Sequence, residues 1–213
     1  MVLISTLKQQ QREGNVFNSL SDVFDSIDNI RERIYSTVQD LTREQAEFRP
    51  SPEAWSVANL VEHLGRTEER VIGLLNRLIA ENKSLEPNPD GGGFQPFSLD
   101  EYIERAKDQK FTAPELAQPQ EQLAIDAALA KIRQTRETLK AMRQRIESAD
   151  LSRAAAPHPV FGPLNAYRWL AFIGLHEGRH LAQMKAVLAS ADCPARMVVD
   201  ANENPYFSSG DIL

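Results

Sequence analysis

The chain has 213 residues, 42% of them apolar and 25% charged, with a formal net charge of −6. That length suits one well-buried domain spanning 1–213, and an acidic chain without a basic cluster excludes nucleic acid as the expected partner. No apolar run reaches membrane-spanning length, and the opening Met1–Ile4 lacks the basic start of a secretory signal, so a cytoplasmic, non-membrane protein is expected. The single cysteine, Cys193, excludes an intrachain disulfide framework and a Cys-rich zinc site.

Four segments carry helical periodicity and none shows the strict alternation of a half-buried strand, so the chain reads as all-α. The first helix spans about 20–38, with Leu20, Val23, Phe24, Ile27, Ile30 and Ile34 on one stripe and the charged Arg31, Glu32 and Arg33 assigned to its solvent side. Arg49-Pro50-Ser51-Pro52 then makes a loop. The second helix, about 56–81, starts at a Ser56 cap with Asn59 at the third helical position and Trp55 stapled on Leu60. Leu60, Leu64, Val71, Leu74 and Leu78 form its apolar face, with His63 and Thr67 on the flank.

Pro87, Pro89 and Gly91-Gly92-Gly93 break that helix and open a crossover over 83–118, long enough to be a lid or binding loop. Within it, Ser98-Leu99-Asp100-Glu101 reads as a capping box for a short helix, and Thr112-Ala113-Pro114-Glu115 as a local turn. Pro119 suits the first turn of a third helix over 119–147, whose core stripe is Ile125, Leu129, Ile132, Leu139, Met142 and Ile146. After the loop Ala156-Pro157-His158-Pro159, Gly162-Pro163 is expected to open a fourth helix over 163–191. The tail 200–213 has no periodicity.

The fourth segment carries the chemistry. It contains His176-Glu177-Gly178-Arg179-His180, which holds two of the chain's four histidines one helical turn apart. At about 100° per residue, Trp169, His180 and Val187 fall within about 40° of His176, and Gln183 about 20° to its other side. Both imidazoles therefore face inward, a chelating edge for zinc, nickel or iron. The wording also matches H-E-x-x-H, in which the glutamate activates a zinc-bound water. A third protein ligand for such a protease is hard to find: only Glu203 stands downstream, and Leu181–Ala186 carries neither the glycine nor the histidine of the metzincin pattern. His63 could face the His176/His180 edge from the second helix, completing an open, catalytic type of site; on spacing alone, a hydrogen-bonded core histidine is the favoured reading. His158, between prolines, reads as a surface residue. Glu177 lies about 80° from the histidine face, either a bundle-edge salt-bridge residue or a group behind the ligands.

Trp55-Ser56-Val57 leading to His63-Leu64, then Ala113-Pro114-Glu115, Phe161-Gly162-Pro163-Leu164, and Trp169-Leu170 through His176-Glu177 and Arg179-His180 to Gln183, resembles the DinB-like metal-binding superfamily. This is the damage-inducible four-helix-bundle family with its YfiT-like relatives, not the polymerase of the same name. The resemblance covers nearly the whole chain. It implies an up-down-down-up four-helix bundle with its long connection between the second and third helices, and a divalent metal held by His63, His176 and His180. Relatives include transferases and isomerases that use low-molecular-weight thiols, proteins described as metal-dependent hydrolases, and many of no known activity; relatives often form homodimers. The expectation is an enzyme whose metal activates a thiol or water toward a small-molecule substrate. Its rivals are a noncatalytic metal- or ligand-binding stress protein and, last, an H-E-x-x-H protease.

Overall fold

The computed structural model describes residues 16–82, 93–106, 115–120 and 122–195. The Pro87–Gly92 break, Thr112-Ala113-Pro114, Glu203 and the tail lie outside the described residues. Among those described, the main helices are α1 (Leu20–Val38), α3 (Val57–Asn82), α5 (Ile125–Ala141) and α7 (Ala166–Leu188). Shorter ones are α2 (Arg43–Glu47), α4 (Asp100–Ala106) and α6 (Arg143–Glu147).

Side-chain register gives the helix directions. Gly65 of α3 abuts Ile132 of α5, Glu68 meets Arg136, and Asn76 meets Met142 and Arg145, so α3 and α5 run parallel. Gly174 and Gly178 of α7 face Ile27 and Ile30 of α1 in the same sense, so these two are parallel as well. Arg31 bonds the Ile132 carbonyl while Arg136 bonds that of Ile27, which makes α1 and α5 antiparallel. The result is an up-down-down-up bundle, and a parallel α3/α5 pair is what obliges the long crossover. Gly174 lets α1 and α7 approach closely: a Cβ there would lie 3.2 Å from the Ile27 side chain and 3.8 Å from its Cα.

The expected stripes are the core. Leu20, Val23, Phe24, Ile27 and Ile34 of α1 are buried, as are Ile125, Leu129, Ile132 and Leu139 of α5 with Met142 and Ile146 beyond it. The Ser56 cap forms as read: Ser56 N–H donates to Asn59 Oδ1 at 3.3 Å, and Asn59 N–H to Ser56 Oγ at 3.2 Å. Short α4 follows the Ser98 cap, whose hydroxyl accepts from Asp100 N–H.

Three boundaries differ from expectation. The third helix begins at Ile125, not Pro119, because Glu62 takes the N–H groups of Gln120 and Leu123 and Gln122 adopts φ +48; a chain so engaged cannot enter a helix. It also steps at Met142 between α5 and α6. The fourth helix begins at Ala166, capped by the Asn165 side chain on Arg168 N–H. Gly162-Pro163 belongs instead to a hairpin of β3 (Ala155–His158) and β4 (Gly162–Asn165), with Gly162 at φ +74 closing the turn. Pro157 and Pro163 face each other at a pair where neither need donate. A second ladder, β1 (Val16–Phe17) with β2 (Phe97–Ser98), ties the crossover to the start of α1.

The assignment of Arg31 to solvent was wrong. Four residues from Ile27 and seven from Phe24, it lies on the core stripe and is 1% exposed. It pairs with Glu68 of α3 at 3.0 Å and with Glu177 of α7, while Arg136 of α5 pairs with Glu68 and Glu177, each at 2.8 Å. Thr135 donates to Glu68 as well. Two guanidiniums and two carboxylates from four helices thus neutralise one another inside the bundle. Removing one partner strands the opposite charge without water, so Arg136→Leu is expected to cost about 3–5 kcal/mol in urea unfolding; a change below about 1 kcal/mol would contradict this account of the lattice.

Candidate metal centre

The Ser56 cap fixes where α3 begins and hence which way His63 points, two turns on. Antiparallel α7 brings His176 and His180 opposite it. Each pair of Nε2 atoms among His63, His176 and His180 is 3.1 Å apart, an equilateral triangle spanning α3 and α7. The three ligand atoms lie within reach of one ion.

Hydrogen bonding decides what those nitrogens offer. His63 Nδ1 lies 2.6 Å from the Ala117 carbonyl, which can only accept, so Nδ1 carries the proton and Nε2 a bare lone pair. His180 Nδ1 donates likewise to Gln183 Oε1 at 2.5 Å. With lone pairs directed at one another, the imidazole nitrogens repel unless a proton or cation lies between them. A tetrahedral ion with metal–nitrogen bonds of about 2.0–2.1 Å sets its ligand nitrogens about 3.3 Å apart, close to the triangle seen. Backbone and amide partners on the far ring nitrogens are the usual means of fixing a ligating tautomer. The residues present therefore fit a divalent cation with open positions for further ligands.

Protons compete poorly for this place. Burial, with His63 nearby, pushes His180 down to about 3. Burial and then the neighbouring His180 and His63 hold His176 well below the ordinary imidazole value. His63 is lowered by burial against the opposing Ala117 bond.

The other candidates fall elsewhere. Glu177 is 1% exposed and its Oε1 accepts from both Arg31 and Arg136, so it belongs to the interior ion lattice and is not poised over the triangle. The protease reading loses its base. His158 is no surface residue: half-buried, it stacks on Phe161 at 4.6 Å and touches Trp169 and Phe172, with its Nδ1 accepting from Val160 and Phe161 N–H. Burial pushes it down to about 4. Trp55 lies against His63, with ring centroids 5.0 Å apart, besides packing on the cluster that contains Leu60. Sequence reading missed the Ala117 carbonyl, which no residue type signals, and missed Arg31, Glu68 and Arg136, whose stripe positions did signal them.

The comparisons agree with this architecture. The model of the DinB superfamily matches residues 26–184, and the chain belongs to that superfamily. It is 28% identical over 158 residues to the "Uncharacterized protein YuaE" of Bacillus subtilis (strain 168), covering 72% of this chain and 89% of that protein. A solved structure titled "Crystal structure of TT2238, a four-helix bundle protein" superposes with a TM-score of 0.53 at 19% identity, over 79% of this chain and 99% of the other, a likeness of fold. No helix among the described residues is long and apolar enough to cross a membrane.

Two outcomes follow. Gln183→Leu frees the His180 ring and should weaken metal binding about 10–100-fold by competition titration with a chromophoric chelator; unaltered affinity would show the contact to be incidental. In the metal-free protein, His180 has a folded pKa of about 3 against about 6.5 unfolded. The unfolded chain therefore binds more protons in that window, and stability complete above pH 6.5 falls as pH drops toward 3. His180→Gln should flatten that slope in denaturant midpoints measured against pH.

Proposed function

We propose that the protein is an enzyme in which His63, His176 and His180 hold a divalent metal, of the zinc, nickel or iron type, for nucleophilic chemistry on a small molecule. The observation that carries this reading is the convergence of three Nε2 atoms at 3.1 Å with two of the far nitrogens committed to acceptors. A metal so held lowers the pKa of a bound thiol or water, supplying a nucleophile near neutral pH.

The chain's own residues do the rest. Three neutral histidines leave the positive charge of the ion uncompensated, which favours an anionic ligand at the open position. Ala117, at the end of the crossover, and Gln183, on α7, keep the rings from turning. Trp55 covers one side of His63 and limits the water that reaches it. Membership of the DinB superfamily supports a low-molecular-weight thiol as co-substrate, in a transferase; bound water would make a hydrolase of the same site.

His63→Ala is expected to abolish stoichiometric metal uptake, read by elemental analysis of protein purified without an affinity tag, while circular dichroism keeps its helical signal. Undiminished metal content in that variant would sink the proposal. Metal-loaded wild type should then turn over in a screen pairing common cellular thiols with electrophilic acceptors, or in one of acyl substrates. Metal-dependent thermal stabilisation without turnover in either screen would instead favour a noncatalytic binding protein.

A further inference from the structure

Thr67 follows His63 by one turn on the same face of α3 and lines the same cleft as the three histidines. Its Oγ1 is shielded from water and has no hydrogen-bond partner among the described residues. That departs from the protein's own habit. Thr37 and Thr138, also within helices, each donate to the carbonyl four residues earlier, at 2.8 and 3.0 Å. Helical threonine has two accessible χ1 rotamers, so a hydroxyl that forgoes this local bond can turn into the cleft its residue lines and bond a ligand there.

Helix direction says what lies opposite. Because α3 and α7 are antiparallel and His63 meets His176 and His180, one turn forward on α3 faces one turn back on α7. That turn carries Phe172, whose ring is 5.8 Å from the His176 ring and 4.6 Å from His158. Phe161 stacks on His158 behind it. His158 Nδ1 accepts two backbone N–H groups, so its ring is uncharged with the proton on Nε2. The hydroxyl and an uncharged aromatic wall thus flank the same side of the triangle, with Trp55 on the other.

We propose that this side of the cleft is a substrate subsite: Phe172, with His158 and Phe161 behind it, takes an aromatic or flat apolar body, and the Thr67 hydroxyl bonds the polar group that the body carries next to the metal. The inference rests on the metal reading above and names the class of molecule that site accepts, an aromatic compound in preference to a small aliphatic one. Thr67 is a positioning residue here, since it holds a ligand and exchanges no proton in the scheme.

The test uses full-length protein loaded with cobalt(II), whose visible absorption reports ligand entry, titrated with benzohydroxamic and acetohydroxamic acids. These two share the metal-binding head and differ in the body. Benzohydroxamate should bind about tenfold more tightly than acetohydroxamate, after correction for their affinities for free cobalt, and Phe172→Ala should reduce that preference to about twofold. Thr67→Val should weaken both probes alike by about tenfold, and Thr67→Ser should restore them, with cobalt uptake unchanged throughout. Equal binding of the two hydroxamates, or variants that bind them as wild type does, would overturn the subsite while leaving the metal centre standing. Failure of the wild type to take up cobalt would contradict the metal reading itself, and the subsite with it.

Discussion

The arrangement of this protein depends on the ion lattice at the centre of the bundle. Arg31 of α1, Glu68 of α3, Arg136 of α5 and Glu177 of α7 each come from a different helix, and all are at most 3% exposed. Charges this far from water tolerate few arrangements: a rotation or slip of any one helix would leave a guanidinium or a carboxylate unmatched. Such groups add little net stability over a well-packed apolar core, but they penalise wrong registers severely. Here they set the rotation of α7. With Glu177 turned inward to the two arginines, its neighbours His176 and His180 are carried round to face α3.

The same logic runs from the lattice to the chemistry. On α3, Glu68 and His63 are five residues apart, so fixing one on the bundle axis directs the other toward the α3/α7 groove. The lattice sets two guanidiniums against two buried carboxylates, with Asp28 pairing Arg136 at its edge, whereas in the histidine triangle three electron-rich nitrogens face one another, two of them backed by the neutral Ala117 carbonyl and Gln183 amide. A protein interior that sets two arginines against two glutamates has, one turn away, a place whose geometry fits a cation. Glu62 adds a further tie by holding Gln120 and Leu123, which seats the end of the crossover where the Ala117 carbonyl can reach His63.

Much of this was legible in the chain. Spacing of three and four among large apolar residues located all four long helices, and the four-residue gap between His176 and His180 placed them on one inward face. Linking His63 to them needed the family likeness, since nothing local distinguishes a ligand from a hydrogen-bonded core histidine. What could not be read was mostly tertiary. Gly162-Pro163 has the form of a helix start, yet pairing with Pro157 and His158 made it a strand; Pro119 has that form too, yet Glu62 holds the chain beyond it. Arg31 was a different failure, since its angular position was correct for the core and its charge alone argued against it. The familiar H-E-x-x-H wording shows the converse: the glutamate's position in the motif is set by helical spacing, and its role by whichever arginines the other helices bring.

Three imidazoles on α3 and α7 are proposed to bind one metal ion. X-ray absorption spectroscopy of the zinc-loaded, tag-free protein would reveal them, because imidazole rings leave outer-shell scattering that carboxylates and water do not. A zinc-to-protein ratio of one and scattering fitted by three imidazoles are expected; His63→Gln should lose most of its zinc, and what it retains should be fitted by two. A first shell of oxygen or sulfur without imidazole scattering, or a spectrum unchanged by that substitution, would contradict the proposal.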